Sequence, residues 1–167
     1  MKITGYQLRE ALKQQTLKRD AISPTFNGTL KRYPGEEKET PGEVMQEFLV
    51  TELAVTKLQV AQMRYNLAVN VSVLGEPMTL AEAIKRVGGP ARAEKMWRSA
   101  TSKKESSYFN EDERDPNKER SVSVLSPKET ISLAQGAAKQ AGAFRAAIAL
   151  GNAEVVEIED LSPALFE

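Results

Sequence analysis

The sequence predicts a mostly α-helical bundle organised on one long helix over about residues 41–70, and three observations carry that prediction. Thr40-Pro41-Gly42-Glu43 is a capping box, with a threonine hydroxyl for the Glu43 amide, a glutamate to reach back, and a proline preset for the first helical position. Behind it, apolar residues recur from Val44 to Val69 with no glycine or proline among them. The same box recurs at Thr4–Gln7, Thr79–Glu82 and Ser126–Glu129, so helix starts punctuate the whole chain. A helix of about 30 residues extends about 45 Å, longer than a small domain is wide, so other helices or another subunit must cover it.

Taken in order, Thr4 opens a helix with Tyr6, Leu8, Leu12, Leu17 and Ile22 near a 3.6-residue period, and Ser23-Pro24 is expected to end it. Residues 25–39, with Asn27-Gly28 and Pro34-Gly35, read as an extended linker. The long helix yields near residue 69 to an alternating strand over about 69–74, and Gly75-Glu76-Pro77 turns the chain. A helix from Thr79 is broken by Gly88-Gly89-Pro90, after which a further helix with Ala93, Met96, Trp97 and Ala100 fades near Ser106. Residues 105–120 read as a polar loop.

Val122 to Leu125 repeats the letters of Val71 to Leu74, so a strand over about 121–125 is expected, available to pair with the first. A last helix, rich in alanine and glycine, runs from Ser126 to about Leu150 and suits an antiparallel partner role. Residues 154–159 are acidic and strand-like, within a C-terminal segment, 153–167, read as an arm. Its candidate docking residues are Val155, Ile158, Leu161, Leu165 and Phe166. Val60, Leu67, Phe144 and Ile148 are the expected core positions.

One domain over 1–167 is the expectation for 167 residues with 41% hydrophobic content. With 23 basic and 23 acidic side chains the chain has no net field to recruit nucleic acid or an anionic membrane globally. Cysteine and histidine are both absent, which removes disulfides, thiolate chemistry and the commonest general base and zinc ligand. No transmembrane segment is expected, and a cytoplasmic location is the default.

No catalytic or metal-ligating set emerges, and no cofactor is expected. Glu111-Asp112-Glu113 with Asp115 lacks the glycine bend and terminal glutamate of a calcium loop, and a solvated loop explains it. Gly88-Gly89-Pro90 lacks a following Gly-Lys-Ser/Thr, so it is a helix break and not a phosphate cradle. The densest functional candidate is basic: Lys85, Arg86, Arg92, Lys95, Arg98, Lys103 and Lys104 against Glu94 alone, with Trp97 among them. That segment could hold phosphates and stack a base, or its cations could face water or a protein partner.

Charge is also blocked along the chain. Residues 1–33 carry seven basic and two acidic side chains, residues 36–52 one and six, and the stretch from Ala153 none and five. Opposed blocks on a neutral chain suit self-association, or pair within one subunit.

The stretch Asn66-Leu67-Ala68-Val69-Asn70, then Gly75, then Met78-Thr79-Leu80-Ala81-Glu82-Ala83-Ile84, resembles the septicolysin-like family of small helical bacterial proteins, and Phe144 to Asn152 is similar to that family's last helix. The long linker, the Gly88-Gly89-Pro90 break and the acidic tail depart from it. The resemblance implies a helical fold and, through the family's name, pore formation. From the residues themselves, the leading expectation is a non-enzymatic structural or assembly protein. It would form an oligomer or part of a larger particle, and a bacteriophage virion component is compatible with that. The alternative is a nucleic-acid-binding module using residues 85–104.

Overall fold

The computed structural model describes residues 1–31, 35–36, 39–106 and 124–166, leaving aside the side chains of 101–106. The protein is mostly α-helical, as expected. The order is β1 (Lys2–Thr4), α1 (Gly5–Thr29), α2 (Pro41–Ala68), β2 (Asn70–Val73), β3 (Glu76–Thr79), α3 (Leu80–Arg86), α4 (Gly88–Ser106), α5 (Pro127–Ala153) and β4 (Val155–Glu157), then a 3₁₀ turn at Pro163–Phe166. The single domain expected over 1–167 resolves into two compact units interleaved along the chain. One comprises Met1–Asn70, Thr79–Ala81 and Leu150–Glu167, and the other Val71–Met78 and Glu82–Ala149.

The first unit is built on an antiparallel helical hairpin. Its capping boxes form as the sequence implies: the Gln7 amide donates to Thr4 Oγ1 at 3.2 Å, and the Glu43 amide to Thr40 Oγ1 at 3.2 Å while the Thr40 amide donates to Glu43 Oε2 at 2.7 Å. α1 and α2 run in opposite directions. Gly5 lies beside Tyr65, Arg19 reaches Glu52, and Ile22 and Phe26 line one pocket with Val44 and Phe48. Val44, Thr51, Val55, Leu58, Ala61 and Tyr65 are the buried positions of α2.

Two expectations for this hairpin need correction. α1 does not stop at Ser23-Pro24 but continues to Thr29 with Pro24 inside it, so residues 25–29 belong to the helix and not to the linker. An internal proline costs about 3 kcal/mol through a lost hydrogen bond and a ring clash. Burial of Ile22 and partial burial of Phe26 against α2 offset it, because ending the helix at Pro24 would take Phe26 away from Val44 and Phe48. Val60 and Leu67 are not core but exposed. Each lies two residues beyond a buried position, Leu58 and Tyr65, and two residues turn about 200° around a helix.

β1 and β4 close this unit as an antiparallel ribbon with Lys2 opposite Glu157, Ile3 opposite Val156 and Thr4 opposite Val155. Two further bonds extend it, from Met1 N to Ile158 O at 2.7 Å and from Ile158 N to Met1 O at 2.8 Å.

The second unit gathers Val73, Met78, Ala83, Phe144 and Ala147 into a core, flanked by Val71, Val87, Ala143 and Ile148. Phe144 is thus core as expected, and Ile148 packs at its edge. β2 pairs with β3. Residues 121–123 lie outside the described residues, and Val124 and Leu125 form a bend. The expected turn at Gly75-Glu76-Pro77 shifts back by one residue, with Leu74 (φ 54°) and Gly75 (φ 87°) both left-handed, as a two-residue hairpin turn requires. Glycine supplies that conformation freely, whereas Leu74 holds it under strain. Gly88-Gly89-Pro90 begins α4 as expected.

Candidate functional site

The outer face of α2 carries large apolar side chains exposed to solvent. Leu49, Leu53, Val60, Met63 and Leu67 are 55%, 56%, 42%, 64% and 63% exposed. With exposed Thr56 they recur at alternating intervals of four and three residues, the spacing of a coiled-coil seam. Val44, Phe48, Thr51, Val55, Leu58, Gln62 and Tyr65 follow the same spacing on the side packed against α1. α2 therefore carries two seams on opposite sides, one filled and one open. Its ionic groups are sorted by position: Glu43, Glu47 and Glu52 in the first half, Lys57 and Arg64 in the second. Of these, Glu52 Oε2 lies 3.3 Å from Arg19 Nη1 and Arg64 Nη1 lies 4.0 Å from Asp160 Oδ2.

The basic segment is divided among different tasks. Arg86 grips Glu76 with both ends of its fork, Nη1 to Oε1 at 2.8 Å and Nη2 to Oε2 at 3.0 Å, and Nη1 also donates to Glu82 Oε1 at 3.1 Å. Its guanidinium carbon stands 5.6 Å from the centre of the Phe144 ring. The hydrogen bond from Arg86 holds the Glu76 carboxyl below its ordinary range, and hydrogen bonds to Glu76 and then Glu82 raise Arg86 further. This cation ties the β2–β3 hairpin to α3 and α5 within the second unit. Arg98 donates to Glu94 at 2.9 Å one turn back. Lys85, Arg92 and Lys95 are exposed, Trp97 is half-buried, and the side chains of Lys103 and Lys104 lie outside the described residues. Met96, which faces the core on the reading that leaves the basic side chains to water or a protein partner, is instead 71% exposed.

The candidate arm folds back on its own chain. Ile158 and Leu161 are buried, Leu165 and Phe166 are half-buried, Val155 is exposed, and Gln15 Nε2 on α1 donates to Leu165 O at 3.4 Å. Burial of Ile158 and Leu161 in the first unit outweighs extension into water. Leu165 and Phe166 with Ile3 and Ala11 wall an open groove of about 640 Å³ along α1. Its polar lining includes Glu10, which Gln14 already engages at 2.7 Å.

A buried knot joins α2 to the end of α5 inside the first unit. The Tyr65 hydroxyl lies 2.7 Å from both Gly151 O and Glu154 O, and its ring is fully buried. Burial raises the phenol above its usual value, against a backbone hydrogen bond from Gly5. The acidic cluster at Glu111–Asp115 lies outside the described residues. Among the described residues no group of three His, Cys, Asp or Glu could hold a metal ion. Nor among them is any helix long and apolar enough to cross a membrane.

Sequence reading missed the Arg86 clamp, the Tyr65 knot and the open seam. Only the seam had a legible signal, the second four-three repeat running through Leu49, Leu53, Thr56, Val60, Met63 and Leu67.

Fold and surface together define a mostly helical protein whose longest helix presents an uncovered apolar face. No family model matches the chain, and no curated protein matches it. A solved structure that it resembles is that of a functionally unknown conserved protein from Corynebacterium diphtheriae. The two share 16% identity and a TM-score of 0.66, over 94% of this chain and 100% of the other. At that identity the likeness establishes the fold and nothing about activity.

Proposed function

We propose that this protein is a non-enzymatic structural or assembly protein that acts by joining other protein subunits through the outer face of α2. The observation that carries this reading is the open seam: five large apolar side chains in coiled-coil spacing, each at least 42% exposed. A monomeric protein gains nothing from that arrangement, while a partner helix would remove it from water. The absence of histidine and cysteine from the sequence supports the non-enzymatic side of the reading. Oligomer formation, and incorporation into a larger particle such as a virion, belong to the same proposal.

The test is the native mass of the purified chain by light scattering across concentration and salt. A defined multiple of 18.4 kDa, or a stable complex with a co-purifying subunit, agrees with the reading. A strict monomer that captures no subunit contradicts it.

A second reading, nucleic-acid binding through α3 and α4, is favoured by the exposure of Lys85, Arg92 and Lys95. It is the weaker one, because Arg86 and Arg98 are engaged with acids of the chain itself. Its test is salt-dependent binding to an oligonucleotide that collapses when Arg92, Lys95 and Arg98 become alanine together.

A further inference from the structure

We infer that residues 24–29 of α1 form a latch, hinged at Pro24, that covers the apolar end of the helical hairpin and opens while the rest of the hairpin stays folded. α1 begins at a complete capping box but deteriorates past Ser23. Pro24 lacks the amide that would bond to the Asp20 carbonyl, and its ring crowds that carbonyl. The residues that follow, Thr25, Phe26, Asn27, Gly28 and Thr29, are all weak helix formers, glycine the weakest. No basic side chain stands in the last turn, and the helix ends at Leu30 in right-handed backbone (φ −72°, ψ −13°) without a left-handed cap.

Little packing compensates. Beyond Ile22, Phe26 and Thr29 are half-buried and Pro24, Thr25, Asn27 and Gly28 are exposed. Thr25 and Thr29 turn their hydroxyls back onto carbonyls of their own helix, Ala21 O at 3.3 Å and Phe26 O at 2.7 Å. The anchor is Phe26, which shares an open pocket of about 200 Å³ with Ile22, Ser23, Val44, Met45 and Phe48. A ring beside such a void forfeits part of its contacts. The facing end of α2 is built the opposite way: Thr40 and Glu43 complete a capping box and Pro41 occupies the first turn, so α2 holds its start when α1 lets go.

Opening at Pro24 withdraws Phe26 and bares Val44, which is 1% exposed when the latch is closed, and the pocket becomes an apolar slot at the end of the hairpin. Ordinary fraying would free Thr29 and Leu30 and leave Phe26 beside Val44.

The chain contains no cysteine, so the thiol of Val44→Cys, labelled with iodoacetamide in native buffer, reports the opening, and Leu58→Cys, at a site 0% exposed, reports global unfolding. Circular dichroism first confirms each fold. The expected result is labelling of Val44→Cys at least tenfold faster than Leu58→Cys and nearly independent of dilute urea, since a local opening exposes little surface. Adding Pro24→Ala slows it on the order of a hundredfold, and adding Gly28→Ala, where a Cβ meets nothing within 4 Å, slows it about fivefold. Equal rates for the two cysteines overturn the latch. So does a Val44→Cys rate that neither substitution changes, which would locate the opening in α2. Hydrogen exchange of the wild type, followed by nuclear magnetic resonance, needs no substitution. The amides of Phe26 to Thr29 should share one opening constant, at least tenfold above that of residues 8–22, whereas a graded rise toward Thr29 is fraying and overturns the proposal.

Discussion

Gly5→Ala should destabilise the protein although it replaces the poorer helix former with the better one. Gly5 is buried at the first turn of α1, and a Cβ there would lie 2.5 Å from Asn152 Oδ1, 2.7 Å from Tyr65 Cε1 and 3.2 Å from the Asn152 Cα. Tyr65 is 0% and Asn152 2% exposed, so neither side chain can swing into solvent, and the Cα belongs to α5 itself. Forcing a methyl into a filled interior costs about 1–3 kcal/mol, and the gain in helix propensity is at most about 1 kcal/mol. The prediction is a net loss of about 1–2 kcal/mol, which lowers the unfolding midpoint of a chain this size by about 2–8 °C.

Gly142→Ala is the matched control, because that glycine lies inside α5 with open space where its Cβ would go, and it should gain up to about 1 kcal/mol. The assay is thermal unfolding followed by circular dichroism on both variants. An unchanged or raised midpoint for Gly5→Ala would refute the close approach of α1, α2 and the end of α5.

Three further outcomes follow from the same geometry. Tyr65→Phe leaves Gly151 O and Glu154 O without their hydroxyl donor and should cost about 1–3 kcal/mol in chemical denaturation. Because burial raises this phenol, the wild type should also lose stability as pH rises above the ordinary tyrosine value through the raised one. The phenylalanine variant should lack that alkaline component. Phe144→Ala should cost about 3–5 kcal/mol, while Leu67→Ala should cost the isolated chain little, since Phe144 is 2% and Leu67 63% exposed; urea midpoints at low concentration decide between them. Glu76 titrates below the usual carboxylate range beside Arg86, so its contribution is present above that range and disappears as pH falls through the lowered value. The stability gap between wild type and Glu76→Gln should therefore close on acidification, and denaturation at two pH values reads it.

The sequence made the helix starts legible because a capping box is a local device, complete within four residues. The hydrogen bonds at Thr4, Thr40 and Ser126 are the ones their spelling implies. What it did not make legible depends on distant residues. Pro24 reads as a stop until Val44 and Phe48 supply the contact that carries α1 past it. Glu76 and Pro77 read as a turn because the strand they begin is defined by β2 and not by their own propensity. On α2, apolar residues ring the helix, so composition could not choose which stripe faces α1. Val60 and Leu67 were assigned to the core, while Leu58 and Tyr65, two residues earlier in each case, occupy it. The basic run at 85–104 looked uniform as letters, yet Arg86 and Arg98 each found a carboxylate within reach.

The account turns on whether the outer face of α2 is covered in solution. Leu53→Glu, Val60→Glu and Leu67→Glu together add charge at three exposed positions and leave the α1-facing seam untouched. The decisive measurement is the sedimentation-equilibrium mass of this variant beside the wild type, each with its unfolding midpoint at low concentration. The account predicts a wild-type mass above 18.4 kDa, a variant at 18.4 kDa, and similar midpoints for the isolated chains. Identical masses for the two, with both folded, would contradict it.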